Sequence, residues 1–231
     1  MSGARPITAE LLSGSALYRE VVLGKLAHAR ESVWIATANV KDLHLPRSAV
    51  YGANAGASRR SAGAGKPDAR RHGSDYVSIL ELFGQLWARG VELRLLHAEL
   101  PSRPFRASFD KQAGLVSGGL KLRICPRVHF KAVIVDGAWV YLGSANLTGA
   151  GLGAKGEGKR NFELGFVTED FDVIDRSQAL FESVWSGAEC GTCQVYDLCP
   201  DPIGPGPKVR RRARKKPEGL IELGKTRRFG R

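Results

Sequence analysis

Long hydrophobic runs are missing from this sequence of 231 residues. No apolar segment reaches the roughly 20 residues that a transmembrane helix needs, which argues against a helical membrane protein. The first ten residues, MSGARPITAE, lack the apolar core of a secretory signal peptide. We therefore expect a protein without a transmembrane segment that is located in the cytoplasm.

Cysteine is scarce as well, with four residues in the chain. Cys190, Cys193 and Cys199 have the spacing C-x2-C-x5-C, and Cys125 lies far upstream. Without an export signal, this pattern favours metal ligation over disulfide bonds. The spacing is similar to the C-terminal iron–sulfur clasp of some prokaryotic DNA-processing nucleases, where one remote cysteine joins such a set. A structural iron–sulfur cluster is our first interpretation, and zinc or metal-free thiols are the alternatives.

Acidic residues are too few to balance the basic ones, and the net charge is +12. Residues 200–231 contain eleven Lys and Arg against three Asp and Glu, so most of the excess lies at the C-terminal end. This composition predicts a disordered basic tail over residues 201–231. Such a tail can bind nucleic acid through its phosphates, or, as the less favoured option, an anionic membrane surface.

Apolar residues alternate between helical and strand periodicity in the rest of the chain. Predicted helices cover residues 16–30, 75–89, 105–116 and 171–187, and predicted strands cover residues 32–38, 91–97, 120–125, 128–135, 139–142 and 164–167. The order strand, helix, strand around residues 32–97 indicates a parallel crossover. Residues 41–74 are rich in Gly, Ala, Ser and Arg and are predicted to form a mobile basic loop.

One segment, residues 128–148, concentrates the residues that could carry chemistry. His129 and Lys131 are two residues apart, so they share one face of a strand. Asp136 begins an Asp-Gly hairpin signal, and the returning strand brings Ser144 and Asn146 back toward His129. An imidazole, an ammonium, a hydroxyl and a carboxamide suit an anionic tetrahedral group such as phosphate. No cluster of carboxylates for a catalytic metal accompanies them.

The spacing of these residues, H-x-K-x4-D-x6-G-S-x-N, resembles the HKD motif of the phospholipase D superfamily. The resemblance implies an α/β phosphodiesterase with a mixed β-sheet flanked by helices, which works through a covalent phosphohistidine and needs no cofactor for catalysis. It also implies that His129 is the nucleophile and that Lys131 and Asn146 clamp the phosphate. Ser144 then supplies a supporting hydrogen bond, and Asp136 has a structural rather than a chemical role.

Two further expectations come from the same resemblance. Superfamily members place a carboxylate downstream to orient the nucleophilic imidazole, and Glu163 stands at the matching place. They also combine two H-x-K motifs in one site, whereas this chain has a single one at His129. The resemblance therefore implies a homodimer that joins two copies of the site.

The sequence predicts a catalytic domain over residues 1–189, a cysteine-rich metal-binding segment over residues 190–200, and the basic tail. A metal-independent nuclease acting on DNA or RNA is the first hypothesis. A phospholipase D or phosphatidyl transferase would use the same chemistry. The third hypothesis, of another class, is a nucleic-acid-binding protein with an inactive site.

Overall fold

The computed structural model describes residues 5–52 and 75–207. The greater part of the predicted mobile loop, residues 53–74, and most of the predicted tail, residues 208–231, lie outside the described residues. Within the described ranges the strands are β1 (Glu10–Ser13), β2 (Ser32–Thr37), β3 (His44–Pro46), β4 (Tyr76–Ser78), β5 (Glu92–His97), β6 (Leu120–Ile124), β7 (Lys131–Val135), β8 (Trp139–Gly143) and β9 (Leu164–Thr168). The helices are α1 (a continuous run of Ser15–Leu17, Tyr18–Lys25 and Leu26–His28), α2 (Arg47–Tyr51), α3 (Ile79–Ala88), α4 (Arg103–Phe109) and α5 (Phe171–Trp185). Three shorter helical turns cover Leu115–Gly119, Cys190–Thr192 and Tyr196–Leu198.

Seven of these strands form one mixed sheet in the order β1-β9-β8-β7-β2-β5-β6. β2, β5 and β6 are parallel, and all other neighbours are antiparallel. The predicted α/β fold and the predicted crossover from β2 to β5 are thus confirmed. Because β7 runs against β2, the sheet has one edge where β2, β5, β6 and β8 end and where β7 and β9 begin. We call it the site edge.

The two faces of the sheet are covered by different helices. The larger apolar core contains buried side chains of α1 and α3, such as Leu17 and Phe83, packed against strand residues such as Ile35 and Leu95. On the other face, α5 packs through Phe181 against the sheet. The Phe181 ring stacks on Trp34 of β2 and on Trp185 of α5, with centroid separations of 5.2 and 5.5 Å. Both faces of the sheet are therefore covered by helices.

Two helices differ by several residues from their predicted bounds, whereas the ends of α1 and α5 differ by at most two residues. α3 begins at Ile79 rather than at residue 75, because Ser78 caps it by accepting a hydrogen bond from the Leu80 N–H at 3.1 Å. The residues before Ser78 form β4 and pair with β3. α4 ends at Phe109 rather than at residue 116. The chain then forms a separate short helical turn at Leu115–Gly119, where Gly118 has a positive φ of 111° and Gly119 packs so closely on Trp87 that an added Cβ would lie 2.8 Å from the ring.

The first part of the predicted mobile loop, residues 41–52, is described and contains regular structure. Leu43 and Leu45 are fully buried, and β3 and α2 follow one another up to Tyr51. The low average apolar content of residues 41–74 does not indicate that Leu43 and Leu45 anchor the first part of this segment to the core. The first residues of the predicted tail are described as well. Residues 201–207 pack onto the fold, and the carboxylate of Asp201 accepts a hydrogen bond from the Ile124 N–H at 3.2 Å.

Candidate active site

Asp136 lies at the opposite end of β7 from the other motif residues. Asp136 and Gly137 both have positive φ, 56° and 59°, as the tight turn between β7 and β8 requires. The Asp136 carboxylate accepts hydrogen bonds from the backbone N–H groups of Arg30, Glu31 and Ser32 at 2.8 to 3.1 Å. Asp136 therefore fixes the start of β2 to the hairpin, which agrees with a structural role.

A tight turn places His129 at the site edge. The Val128 N–H donates to the Cys125 carbonyl oxygen at 2.9 Å, and Pro126 takes the second position of this turn, where proline is favoured. As a result β7 begins at Lys131, three residues later than predicted, and His129 lies in the connection before the strand. The imidazole is exposed and accessible from solvent.

Lys131 is the neighbour of this imidazole. Its side chain is buried, and its ammonium donates to the His129 carbonyl oxygen at 2.6 Å. The same nitrogen lies 3.4 Å from Nε2 of His129. A positive charge is thus held beside the histidine on a short, rigid stretch of backbone, where it can bind an anion that the histidine contacts.

The carboxamide of Asn146 has its orientation set by the loop that follows β2. Its Oδ1 accepts hydrogen bonds from the Ala38 N–H at 3.1 Å, from the Asn39 N–H at 3.2 Å and from the Thr37 hydroxyl at 3.1 Å. Since backbone N–H groups only donate, the oxygen must face them, and the NH₂ group must face away. The structure thereby turns two donors of Asn146 outward from the β2 loop at the site edge.

Ser144 and Glu163 face each other across the ends of β8 and β9. The Ser144 hydroxyl donates to the Glu163 carboxylate and accepts from the Leu164 N–H at 3.1 Å. The second carboxylate oxygen of Glu163 accepts from the Asn161 amide at 3.1 Å. Among the hydrogen bonds of the described residues, none joins Glu163 to His129, so the carboxylate orients Ser144 rather than the imidazole in this single chain.

Glycine is required just before Ser144 because two strands meet closely there. A Cβ at Gly143 would lie 2.7 Å from the Cα of Gly165 and would collide with the hydroxyl of Tyr141. That hydroxyl accepts from the Ala145 N–H at 3.3 Å and so shapes the segment between Ser144 and Asn146. Burial raises the pKa of Tyr141 to about 12, which keeps the phenol neutral.

Sequence reasoning missed the residues that support Asn146. Thr37 is buried, and its hydroxyl also accepts the Leu147 N–H at 3.0 Å. Asn39 donates to the carboxylate of Glu99, which follows β5, at 2.8 Å. The available signal was positional, because polar residues at the carboxyl ends of adjacent parallel strands tend to line ligand sites.

Two large apolar side chains flank the site without cover. Phe162, next to Glu163, is fully exposed, and Leu164 is about half exposed. Fully exposed large apolar side chains beside a polar site commonly mark a contact with another molecule.

The four predicted metal ligands lie around one cavity. Cys125, Cys190, Cys193 and Cys199 line one cavity between the end of β6 and the segment after α5, and all four thiols are free and half-buried. Burial raises the pKa of the Cys125 thiol, and the neighbouring thiols of Cys199 and Cys193 add to this rise.

Comparison with protein families gives one match. Residues 75–185, just under half of the chain, match the family described as cardiolipin synthase, PLD-like domain. This range contains all six predicted catalytic positions, and it confirms the resemblance to the phospholipase D superfamily. No curated protein sequence matches the chain.

Several solved structures are similar to this one. NucT from Helicobacter pylori has 15% identity over 78% of this chain and 96% of its own, with a TM-score of 0.48. Nuc from Salmonella typhimurium, a phospholipase D family member, has 16% identity over 77% of this chain and 95% of its own, with a TM-score of 0.44. The archaeal chromatin protein TrmBL2 has 14% identity over 77% of this chain and 52% of its own, with a TM-score of 0.43. In the described part of this chain, no helix is long and apolar enough to cross a membrane.

Proposed function

We propose that the protein is a metal-independent phosphodiesterase that acts on nucleic acid, because residues 75–185 match a family of phospholipase D-like domains. The observation that carries the proposal is the grouping of His129, Lys131, Ser144 and Asn146 at the site edge. Within this group a nucleophile and a set of cationic and neutral donors come together, as a phosphodiester requires.

In the first step, a ring nitrogen of His129 attacks the phosphorus. The new P–N bond forms as the P–O bond to the leaving oxygen breaks, and an acid protonates that oxygen. Lys131 balances the charge on the non-bridging oxygens, and the NH₂ group of Asn146 donates a hydrogen bond to them. In the second step, water attacks the phosphorus, the P–N bond to His129 breaks, and the group that acted as the acid in the first step takes the proton of the water.

The leaving oxygen needs an acid, which members of the superfamily supply from a second H-x-K motif, and this sequence contains one such motif. A second copy of the chain would supply it as the His129 of the other subunit, which is the reason to propose a homodimer. The exposed Phe162 and Leu164 beside Glu163 support this arrangement, since they provide apolar contact area next to the site. In such a dimer Glu163 lies at the junction of the two copies, where it orients an imidazole as well as Ser144.

Nucleic acid is the favoured substrate because of the charge. The chain carries a net charge of +12, which attracts polyanions at long range. Within the described residues, Lys155, Lys159 and Arg160 follow Asn146 in one Gly-rich loop that leads back to Glu163. A basic loop that begins and ends at the site would hold the phosphates on either side of the scissile bond.

A lipid substrate is the second candidate. The specific observation in its favour is the description of the matching family, which names a cardiolipin synthase. The same histidine chemistry serves phosphatidyl transfer, in which an alcohol replaces water in the second step.

A parallel assay decides between these functions. The full chain in EDTA is given single-stranded and double-stranded DNA, RNA, and vesicles that contain an anionic phospholipid. We expect nucleic-acid cleavage and no lipid turnover. Lipid turnover alone would favour the second candidate, and tight nucleic-acid binding without any cleavage would favour a binding protein with an inactive site.

A further inference from the structure

Four cysteines from two distant parts of the chain surround one cavity. Cys125 comes from the end of β6, and Cys190, Cys193 and Cys199 come from the segment that follows α5. They are all the cysteines of the protein, and none forms a disulfide. Cys190, Cys193 and Cys199 are close together in the sequence, so the informative observation is that the fold brings Cys125 to the same cavity.

Contacts that do not involve sulfur hold the two parts together. The carboxylate of Asp201 accepts from the Ile124 N–H at 3.2 Å and lies 3.6 Å from the guanidinium of Arg123. The Tyr196 hydroxyl donates to the Gly204 carbonyl oxygen at 2.6 Å and closes the segment on itself. These contacts hold the walls of the cavity in place without the cysteines, so the thiols are free to bind a ligand.

From this arrangement we propose that Cys125, Cys190, Cys193 and Cys199 bind a metal centre through four thiolates, as an iron–sulfur cluster or a single zinc ion. A set of four sulfur ligands selects these two centres over others. The cysteines are not part of the phosphodiesterase chemistry, so the proposal does not depend on the proposed function.

The thiols must move closer together to bind one metal centre. As the side chains stand, no three His, Cys, Asp or Glu residues in the described ranges are close enough together to hold a metal ion. Each cysteine can change its rotamer about the single Cα–Cβ bond, which moves the sulfur while the backbone stays in place. Loop residues such as Cys193 and Cys199, which lie outside the sheet, can also shift more easily than β6.

The centre would stabilise the catalytic strand from behind. The Cys125 N–H donates to the His97 carbonyl oxygen at 2.9 Å, and the Cys125 carbonyl oxygen accepts from Val128 at the same distance. Cys125 thus opens the turn that delivers His129 to the site edge. A bond from its sulfur to a metal would fix this turn to the C-terminal segment.

The test starts with metal analysis of the full chain, purified without air. We expect either iron with a similar amount of acid-labile sulfide, or about one zinc per chain. X-ray absorption at the metal edge should give sulfur as the nearest neighbour in every position, and both results support the proposal. A chain that holds no metal after incubation with iron and sulfide and with zinc, or a metal with mainly nitrogen and oxygen ligands, would overturn it.

Variants then assign the ligands. We expect Cys125→Ser and Cys193→Ser each to lower the metal content roughly tenfold, since one ligand is lost. Tyr196→Phe is the matched control, because it removes the hydrogen bond that closes the segment and keeps all four thiols. Full metal content in Cys125→Ser would refute the four-thiolate site. If a serine variant does not fold, the metal content and the sulfur coordination of the wild-type chain decide alone.

Discussion

The side-chain oxygen of Asn146 accepts a hydrogen bond from the backbone N–H of Ala38 at 3.1 Å. This bond joins the loop after β8 to the loop after β2, on strands that are separated by β7 in the sheet. It also determines which end of the carboxamide is available to a substrate. Asn146 therefore meets two demands. Its side-chain oxygen accepts hydrogen bonds from the loop after β2, and its NH₂ group is available to donate to a phosphate.

Two substitutions of Asn146 separate these demands. Asn146→Asp keeps an oxygen for Ala38 and Asn39 but loses the NH₂ donor, so we expect a folded protein whose cleavage rate falls about 10²- to 10³-fold. Asn146→Ala leaves the backbone N–H groups without their acceptor, and should also lower the free energy of unfolding by about 1–3 kcal/mol. Chemical denaturation and cleavage kinetics measure the two effects. Equal loss of stability in both variants would contradict the proposed orientation.

Asp136 should behave in the opposite way. Asp136→Ala removes the acceptor of three backbone N–H groups. It also places alanine, which has no side-chain hydrogen bond to compensate, at a positive φ of 56°. We expect the free energy of unfolding to fall by about 2–4 kcal/mol. Asp136→Asn, which retains an acceptor and tolerates this φ, should lose less than half as much.

The cleavage rate supplies the contrast for the Asp136 variants. β7 spans five residues, roughly 16 Å, between Asp136 and the site edge. Turnover per folded molecule should therefore stay close to that of the wild type at a temperature where the variants are folded. A large loss of turnover with unchanged stability would assign Asp136 to the chemistry.

Much of the site could be predicted from the sequence because its parts are close together along the chain. His129, Lys131, Ser144 and Asn146 lie on one hairpin, and hairpin geometry alone returns the last two toward the first. Thr37 and Asn39 could not be found in this way, since a parallel crossover of the chain separates them from the hairpin. Their role depends on which strands become neighbours in the sheet.

The bounds of the helices depended on contacts that composition does not reveal. α3 begins later than predicted because Val77 is buried in β4, opposite Leu45 of β3. The average composition of residues 41–74 predicts a loop, but burial of Leu43 and Leu45 is enough to order the first residues of this segment. Hydrophobic periodicity identified the elements, and single buried side chains set where they end.

Glu92 begins β5, at the end of the sheet opposite the site edge. Its carboxylate should make the free energy of unfolding depend on pH. Partial burial alone would raise the pKa of Glu92, but hydrogen bonds from Lys121, Arg94 and Trp34 hold it below its ordinary value. A lowered folded-state pKa stabilises the protein above the unfolded value of about 4.3, and this contribution is lost as the pH falls through the folded pKa.

We therefore expect Glu92→Gln to flatten the acid side of the stability profile. Denaturation midpoints measured from pH 7 down to about pH 3 should fall more steeply for the wild type than for the variant. Glu31→Gln, at an exposed position just before β2, is the matched control and should follow the wild type. Parallel profiles for wild type and Glu92→Gln would contradict the role of this carboxylate.

The proposed homodimer can be tested at two exposed phenylalanines. Phe162 lies at the site edge, and Phe171 lies at the start of α5, beyond the opposite end of β9. Phe162→Asp places a charge where the second copy would pack, so we expect a monomer without cleavage activity. Phe171→Asp should remain dimeric and active. Light scattering after gel filtration gives the mass, and a wild-type monomer with full turnover would rule out the shared site.

His129 is the proposed nucleophile, and its removal in the presence of a chelator is the most direct test of the proposed mechanism. The full chain and His129→Ala are incubated with nucleic acid in EDTA, beside His28→Ala, which removes an exposed histidine at the end of α1. We predict that the wild type and His28→Ala cleave alike and that His129→Ala loses at least about 10⁴-fold in rate, because the nucleophile itself is gone. Cleavage by His129→Ala at the wild-type rate would contradict the proposed mechanism.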